Sequence, residues 1–166
     1  MKKTLIFLVL LCSLSCSNEE MKDYNESLRN WNSLKEDNGN SYKYTTSWGS
    51  WAGFGGKTTM TIQDNQVISR FYESFKIDGA TGELTIIETF EETLETLNSN
   101  NAGSPPLTID ELYDSCLENY LKVNKNKNTI YFETNDFGLI STCGFVPDNC
   151  VDDCFTGFRI DSFEWL

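Results

Sequence analysis

The sequence predicts an α+β domain, an antiparallel β-sheet of about six to seven strands with two helices packed on one face. Three observations predict it. Apolar residues recur every three or four positions in two stretches, near residues 19–36 and 109–122, which is the helical period. Elsewhere apolar and polar residues alternate in short runs, as on half-buried strands. The connections between successive runs are short and rich in Asn, Asp and Gly, and connections that short join antiparallel neighbours only.

In the first helical stretch Met21, Tyr24, Leu28 and Trp31 fall on one face, and Asp37-Asn38-Gly39-Asn40 ends it. Tyr42, Tyr44, Thr46 and Trp48 then alternate with Lys43, Thr45 and Ser47 in a first strand. A second strand spans 57–63, with Met60 and Ile62 on one side, and Asp64-Asn65 turns the chain. The third strand, 67–77, carries Phe71, Phe75 and Ile77 against Arg70, Tyr72 and Lys76. Turn residues at Asp78-Gly79 and Thr81-Gly82 lead to a fourth strand over 84–91, and residues 92–106 read as a loop.

The second helix has the clearest local signal. Thr108 is followed three residues later by Glu111, the spacing of a capping box, and Leu107 and Leu112 are placed for a hydrophobic staple. Ile109, Leu112, Tyr113, Cys116, Leu117, Tyr120 and Leu121 make one apolar face over 109–122. Three more strands follow near 129–134, 138–146 and 155–164. The order is thus helix, four strands, helix, three strands, with no residue-level repeat between its halves.

The first twenty residues read as an address. Lys2 and Lys3 precede an apolar run of about ten residues, too short for the roughly 20 that span a bilayer as a helix. Ser13-Leu14-Ser15-Cys16 fits a lipoprotein signal, so residues 1–15 are expected to be removed and Cys16 acylated, with palmitate among its chains. Several chains with about 0.8 kcal/mol per buried methylene give stable anchoring in a lipid bilayer. An ordinary signal peptide cut before Ser17 or Asn18 is the alternative. Residues 16–24 are expected to form the tether and 25–166 the domain. The tract Ser17-Asn18-Glu19-Glu20 reads equally as a surface-export signal or as a solvated linker.

The 166 residues include 13 Lys and Arg against 25 Asp and Glu and no His, a formal net charge of −12. Loss of Lys2 and Lys3 makes the mature chain more acidic still. Such a surface repels nucleic acid, which needs a basic patch. Without histidine, Ser-His-Asp and Cys-His catalysis and histidine-bound zinc are excluded.

Once Cys12 leaves and Cys16 is acylated, Cys116, Cys143, Cys150 and Cys154 remain, an even set that suggests two disulfides in an exported chain. Cys116 lies on the apolar helix face and Cys143 shares strand parity with Leu139 and Phe145. Of three possible connectivities we therefore expect Cys116–Cys143, tying helix to sheet, and Cys150–Cys154, closing a loop.

Three stretches carry residue types that could do chemistry. Gly56-Lys57-Thr58 suggests a phosphate loop, but Trp51 stands where that motif needs glycine and a strand pattern follows instead of a helix. Trp48, Trp51 and Phe54 lie in a glycine-rich connection. Such rings more often close the end of a core, and otherwise stack on sugar faces or partner side chains. Asp148, Asp152 and Asp153, beside Asn149, are oxygen donors that suit calcium, or are solvated acids on a disulfide-pinned loop.

Several segments resemble a family of small exported bacterial lipoprotein domains of unknown function. They are Asn40-Ser41-Tyr42-Lys43-Tyr44-Thr45 after a tryptophan-bearing helix, the strand pair from Thr58 to Ser69, Leu107-Thr108-Ile109-Asp110-Glu111-Leu112-Tyr113, and Asp152-Asp153 before the last strand. The likeness covers most of residues 25–166. It implies one exported lipoprotein domain and carries no catalytic residues over. The cysteines at 143–154 mark a subgroup, and residues 78–104 look like extra length.

The expectation is therefore a non-catalytic, lipid-anchored protein of the bacterial cell envelope, at the outer membrane or cell surface, that binds a protein partner or a glycan ligand without a cofactor. The alternatives are a carboxylate-dependent hydrolase using two of Glu73, Glu88, Glu133, Asp148, Asp152 and Asp153, and a calcium-stabilised adhesion module.

Overall fold

The computed structural model describes residues 19–166; the signal and Cys16 lie outside the described residues. Helix α1 (Glu19–Asn38) opens with Glu19 and Glu20, whose charges suit a helix N-terminus. It already begins within the stretch expected as tether, and Tyr24 is buried. Gly39, at φ 88°, ends it by donating its N–H to the Lys35 carbonyl at 2.8 Å.

Four strands follow: β1 (Tyr42–Gly49), β2 (Phe54–Gln63), β3 (Gln66–Ile77) and β4 (Leu84–Thr93). Asp64 and Asn65, at φ 49° and 63°, supply the left-handed pair that a two-residue hairpin requires. Helix α2 (Ile109–Ser115) comes next, then β5 (Asn128–Thr134), β6 (Ile140–Pro147) and β7 (Thr156–Trp165). Among the described residues these form a seven-stranded sheet in the order β4-β3-β2-β1-β7-β6-β5, antiparallel throughout. Two meanders are therefore joined side by side where β1 pairs with β7, Tyr42 opposite Trp165.

Thr108 caps α2 as its spacing predicts: its hydroxyl accepts from Glu111 N–H, and the Glu111 carboxylate accepts from Thr108 N–H at 2.7 Å. The expected single helix over 109–122 is instead an α-helical first half and a π-helical turn over Cys116–Tyr120. Both expected disulfides are present. Cys116 and Cys143, both buried, join this turn to β6, and Cys150–Cys154 closes the loop before β7.

The core is aromatic. Trp31 of α1 stacks on Trp165 at 5.5 Å and meets Tyr42 and Phe163 edge-on. Its indole N–H donates to Asp110 Oδ1 at 3.2 Å, and Lys35 pairs with the same carboxylate oxygen. Tyr42 carries its hydroxyl to the start of α2, where it accepts from Ile109 N–H at 2.9 Å.

One alternation is inverted. Arg70 and Tyr72 of β3 are buried, whereas Phe71 and Ile77 are exposed. A register shift at Thr61/Ile62 sets Met60 opposite Arg70 and Thr58 opposite Tyr72, so these two share the side of Tyr44 and Met60. The segment after β4 then lies across that side. Tyr44 donates to the Leu107 carbonyl at 2.5 Å, and Ser104 N–H donates to Thr58 Oγ1 at 2.9 Å.

Arg70 is what this segment closes over. Its guanidinium pairs with Glu92 at 2.8 Å and donates to the carbonyls of Asn100 and Ala102. Glu92 also accepts from Asn98 N–H, Ser99 Oγ, and Asn100 through both N–H and Nδ2. Burial works against the charge of this carboxylate, but the bonds from Asn100, Arg70 and Asn98 outweigh it and hold its pKa down at about 2. A buried charge is tolerable when paired and hydrogen-bonded in this way.

Candidate functional site

The connections at residues 50–53, 78–83 and 148–155 lie at one end of the sheet, and the aromatic stretch occupies the first of them. Trp48 keeps the parity of Tyr42 and Tyr44 but is 50% exposed. Opposite it stands Gly56, where a Cβ would come within 2.4 Å of the indole nitrogen. At Gly55 a Cβ would meet the Phe75 ring at 2.7 Å. Two adjacent glycines, whose successive positions face opposite sides of the strand, thus each seat one ring.

Trp51 is 78% exposed on a turn whose backbone is well held. Ser50 N–H donates to the Phe54 carbonyl at 2.8 Å, and Gly53 N–H to the Ser50 carbonyl at 3.0 Å. Ile77 N–H donates to the Gly53 carbonyl at 2.7 Å, which fastens the turn to the end of β3. Gly53 must be glycine there, because its φ is 83° and a Cβ would lie 2.4 Å from the Ile77 carbonyl oxygen. Phe54 is 41% exposed, with Lys76 Nζ 5.3 Å from the ring centroid. The three rings therefore do not close the core, the fate more usual for such residues. All three are exposed, and Lys76 lies over Phe54.

The disulfide loop touches the turn at Trp51. Trp51 N–H donates to Asp153 Oδ2 at 3.3 Å. The other acids of that loop go elsewhere: Asp148 accepts from Thr129 Oγ1, and Asp152 Oδ1 accepts from Asp153 N–H. Asp148, Asp152 and Asp153 do not converge, and among the described residues no group of three or more Cys, Asp or Glu is placed to hold a metal ion.

The remaining carboxylates are also dispersed. Glu88 is opposite Ser74, the neighbour of Glu73, so Glu73 and Glu88 fall on opposite sides of the sheet. Glu133 is on β5, at the far edge.

Sequence reasoning missed two features. One is the buried Arg70–Glu92 pair; its only sequence signal is an arginine on a side whose alternate positions read as polar. The other is a groove of about 630 Å³ between α1 and the β5–β6 turn, with Asp23, Glu26 and Asp136 on its walls. The helical spacing of Asp23 and Glu26 was available as a signal. Ser27 and Asn30 in that groove are occupied in holding the turn, donating to the carbonyls of Gly138 and Phe137. Among the described residues no helix is long and apolar enough to cross a membrane. No family model, curated protein or solved structure matches the chain.

Proposed function

We propose that this protein is a non-catalytic lipoprotein, held in a bacterial cell envelope by acylated Cys16, that binds a protein partner or glycan ligand through Trp48, Trp51 and Phe54. The observation that carries the reading is the exposure of three rings on a hydrogen-bonded turn and the strand ends that flank it. A backbone already ordered loses little further freedom on binding, so the rings' contact area goes into affinity. Two disulfides suit an oxidising, extracytoplasmic compartment. We also infer that both helices pack on one face of the sheet, since Trp31 of α1 and Ile109 of α2 both meet Tyr42.

The test has two arms. Cys16→Ala in the exporting bacterium should move the protein from the membrane fraction to the soluble fraction; retention on the membrane would refute the anchor. Affinity capture from native envelopes with the lipidated protein should enrich a partner or glycan over an unrelated anchored control. The variant carrying Trp48→Ala, Trp51→Ala and Phe54→Ala should lose it. Equal capture by that variant, or no enrichment at all, would refute the binding surface.

A further inference from the structure

β4 is one edge of the sheet and pairs with β3 alone among the described strands. It is ten residues long, against seven for β5 at the opposite edge. α1 packs beside β5, where Tyr24 meets Phe132 at 5.9 Å. On the outer side of β4, alternate N–H and C=O groups of the backbone face away from the sheet, a template for another strand. Leu84, Ile86 and Ile87 are 50%, 45% and 58% exposed along it. Behind Ile86 and Leu84 stand their cross-strand partners Phe75 and Ile77, which widen the apolar strip.

Such edges are commonly blunted by lysine. This one has none: residues 77–121 contain no Lys or Arg at all. Glu83, Glu88, Glu91 and Glu95 mark β4 and its flanks, and Glu92 is already committed to Arg70. A second copy pairing edge to edge would set carboxylates against carboxylates, which destabilises a ladder. A basic strand would meet the opposite field.

We propose that β4 accepts an extended segment of a partner protein, in which apolar residues are interspersed with Lys or Arg, as an added strand. Main-chain hydrogen bonds supply the attachment, the strip of Leu84, Ile86 and Ile77 takes the apolar side chains, and Glu88, on the other face of the strand, selects the basic ones. The carboxylates discriminate against self-association and in favour of this partner. The strip adjoins the aromatic turn, where Ile77 N–H donates to the Gly53 carbonyl, but Glu88 and the outer backbone of β4 are no part of Trp48, Trp51 or Phe54, so either surface can fail without the other.

The probe is a fluorescent ten-residue peptide alternating lysine and valine, titrated into the oxidised protein and followed by anisotropy and by amide chemical shifts. Binding is expected, with shifts centred on β4. Glu88→Lys, at an exposed position, should weaken it by roughly tenfold or more. A peptide methylated at alternate backbone nitrogens should lose binding, a control that leaves the protein untouched. Equal binding of a glutamate–valine peptide, undiminished binding of the methylated one, or self-association through β4 in sedimentation would each overturn the proposal.

Discussion

Replacing Glu92 with glutamine tests the polar centre of the fold. The carboxylate accepts five hydrogen bonds, one from Arg70 and the rest from Asn98, Ser99 and Asn100. Glutamine keeps one carbonyl oxygen, turns the other acceptor into a donor facing donors, and leaves the Arg70 charge buried without its counter-ion. Removing one partner of a buried pair costs about 3–5 kcal/mol. The pH linkage gives a consistent figure. A carboxyl held at about 2 in the fold, against 4.5 ordinarily, contributes about 3 kcal/mol at neutral pH. Its folded pKa lies below its unfolded one, so the contribution is complete above about 4.5 and is lost as pH falls toward about 2. Urea unfolding of parent and Glu92→Gln, followed by tryptophan fluorescence between pH 7 and pH 2, should show a gap of about 3 kcal/mol that closes on acidification. A gap below about 1 kcal/mol at pH 7, or one that does not change with pH, would refute the reasoning.

Trp31→Ala removes a fully buried ring that contacts Tyr42, Phe163 and Trp165, and should cost about 3–5 kcal/mol and most of the near-ultraviolet dichroism. Loss of the Cys116–Cys143 bridge, which spans 27 positions, should destabilise by about 3.6 kcal/mol in the chain-entropy relation. Loss of Cys150–Cys154, spanning 4, should cost about 2 kcal/mol; unfolding midpoints of the two double serine variants give the ranking. Gly157→Ala should be destabilising by about 3 kcal/mol or more, because φ is 150° and a Cβ would lie 2.1 Å from the Cys143 carbonyl oxygen. A small change in its urea midpoint would show that β6 and β7 can part there without harm.

What could be read from the residues is what local rules decide. The capping box at Thr108 needs only a spacing of three, and the strands of each meander need only alternation and short turns. The cysteine pairing was legible because Cys116 and Cys143 each sit on the buried side of their own element. The side that β3 buries was not. Its alternation favours Phe71, Phe75 and Ile77, and the opposite choice depends on a register shift and on Glu92, Asn100 and Ala102 meeting Arg70 from a segment far along the chain. The exposure of Trp48 was hidden for a similar reason. Its parity is that of a core residue, and only the pairing with Gly56 shows that nothing larger stands beside it.

The pairing of β1 with β7 has a temporal consequence. Tyr42 and Trp165, opposite each other at the centre of the sheet, are separated by roughly 120 residues of chain. Loop closure over such a distance is slow, and contacts of long sequence separation form late. During synthesis the first meander can pair within itself, but β1 keeps one side open, and Trp31 lacks the ring it stacks on, until β7 has left the ribosome. Until β7 emerges, the two meanders are thus without their common seam.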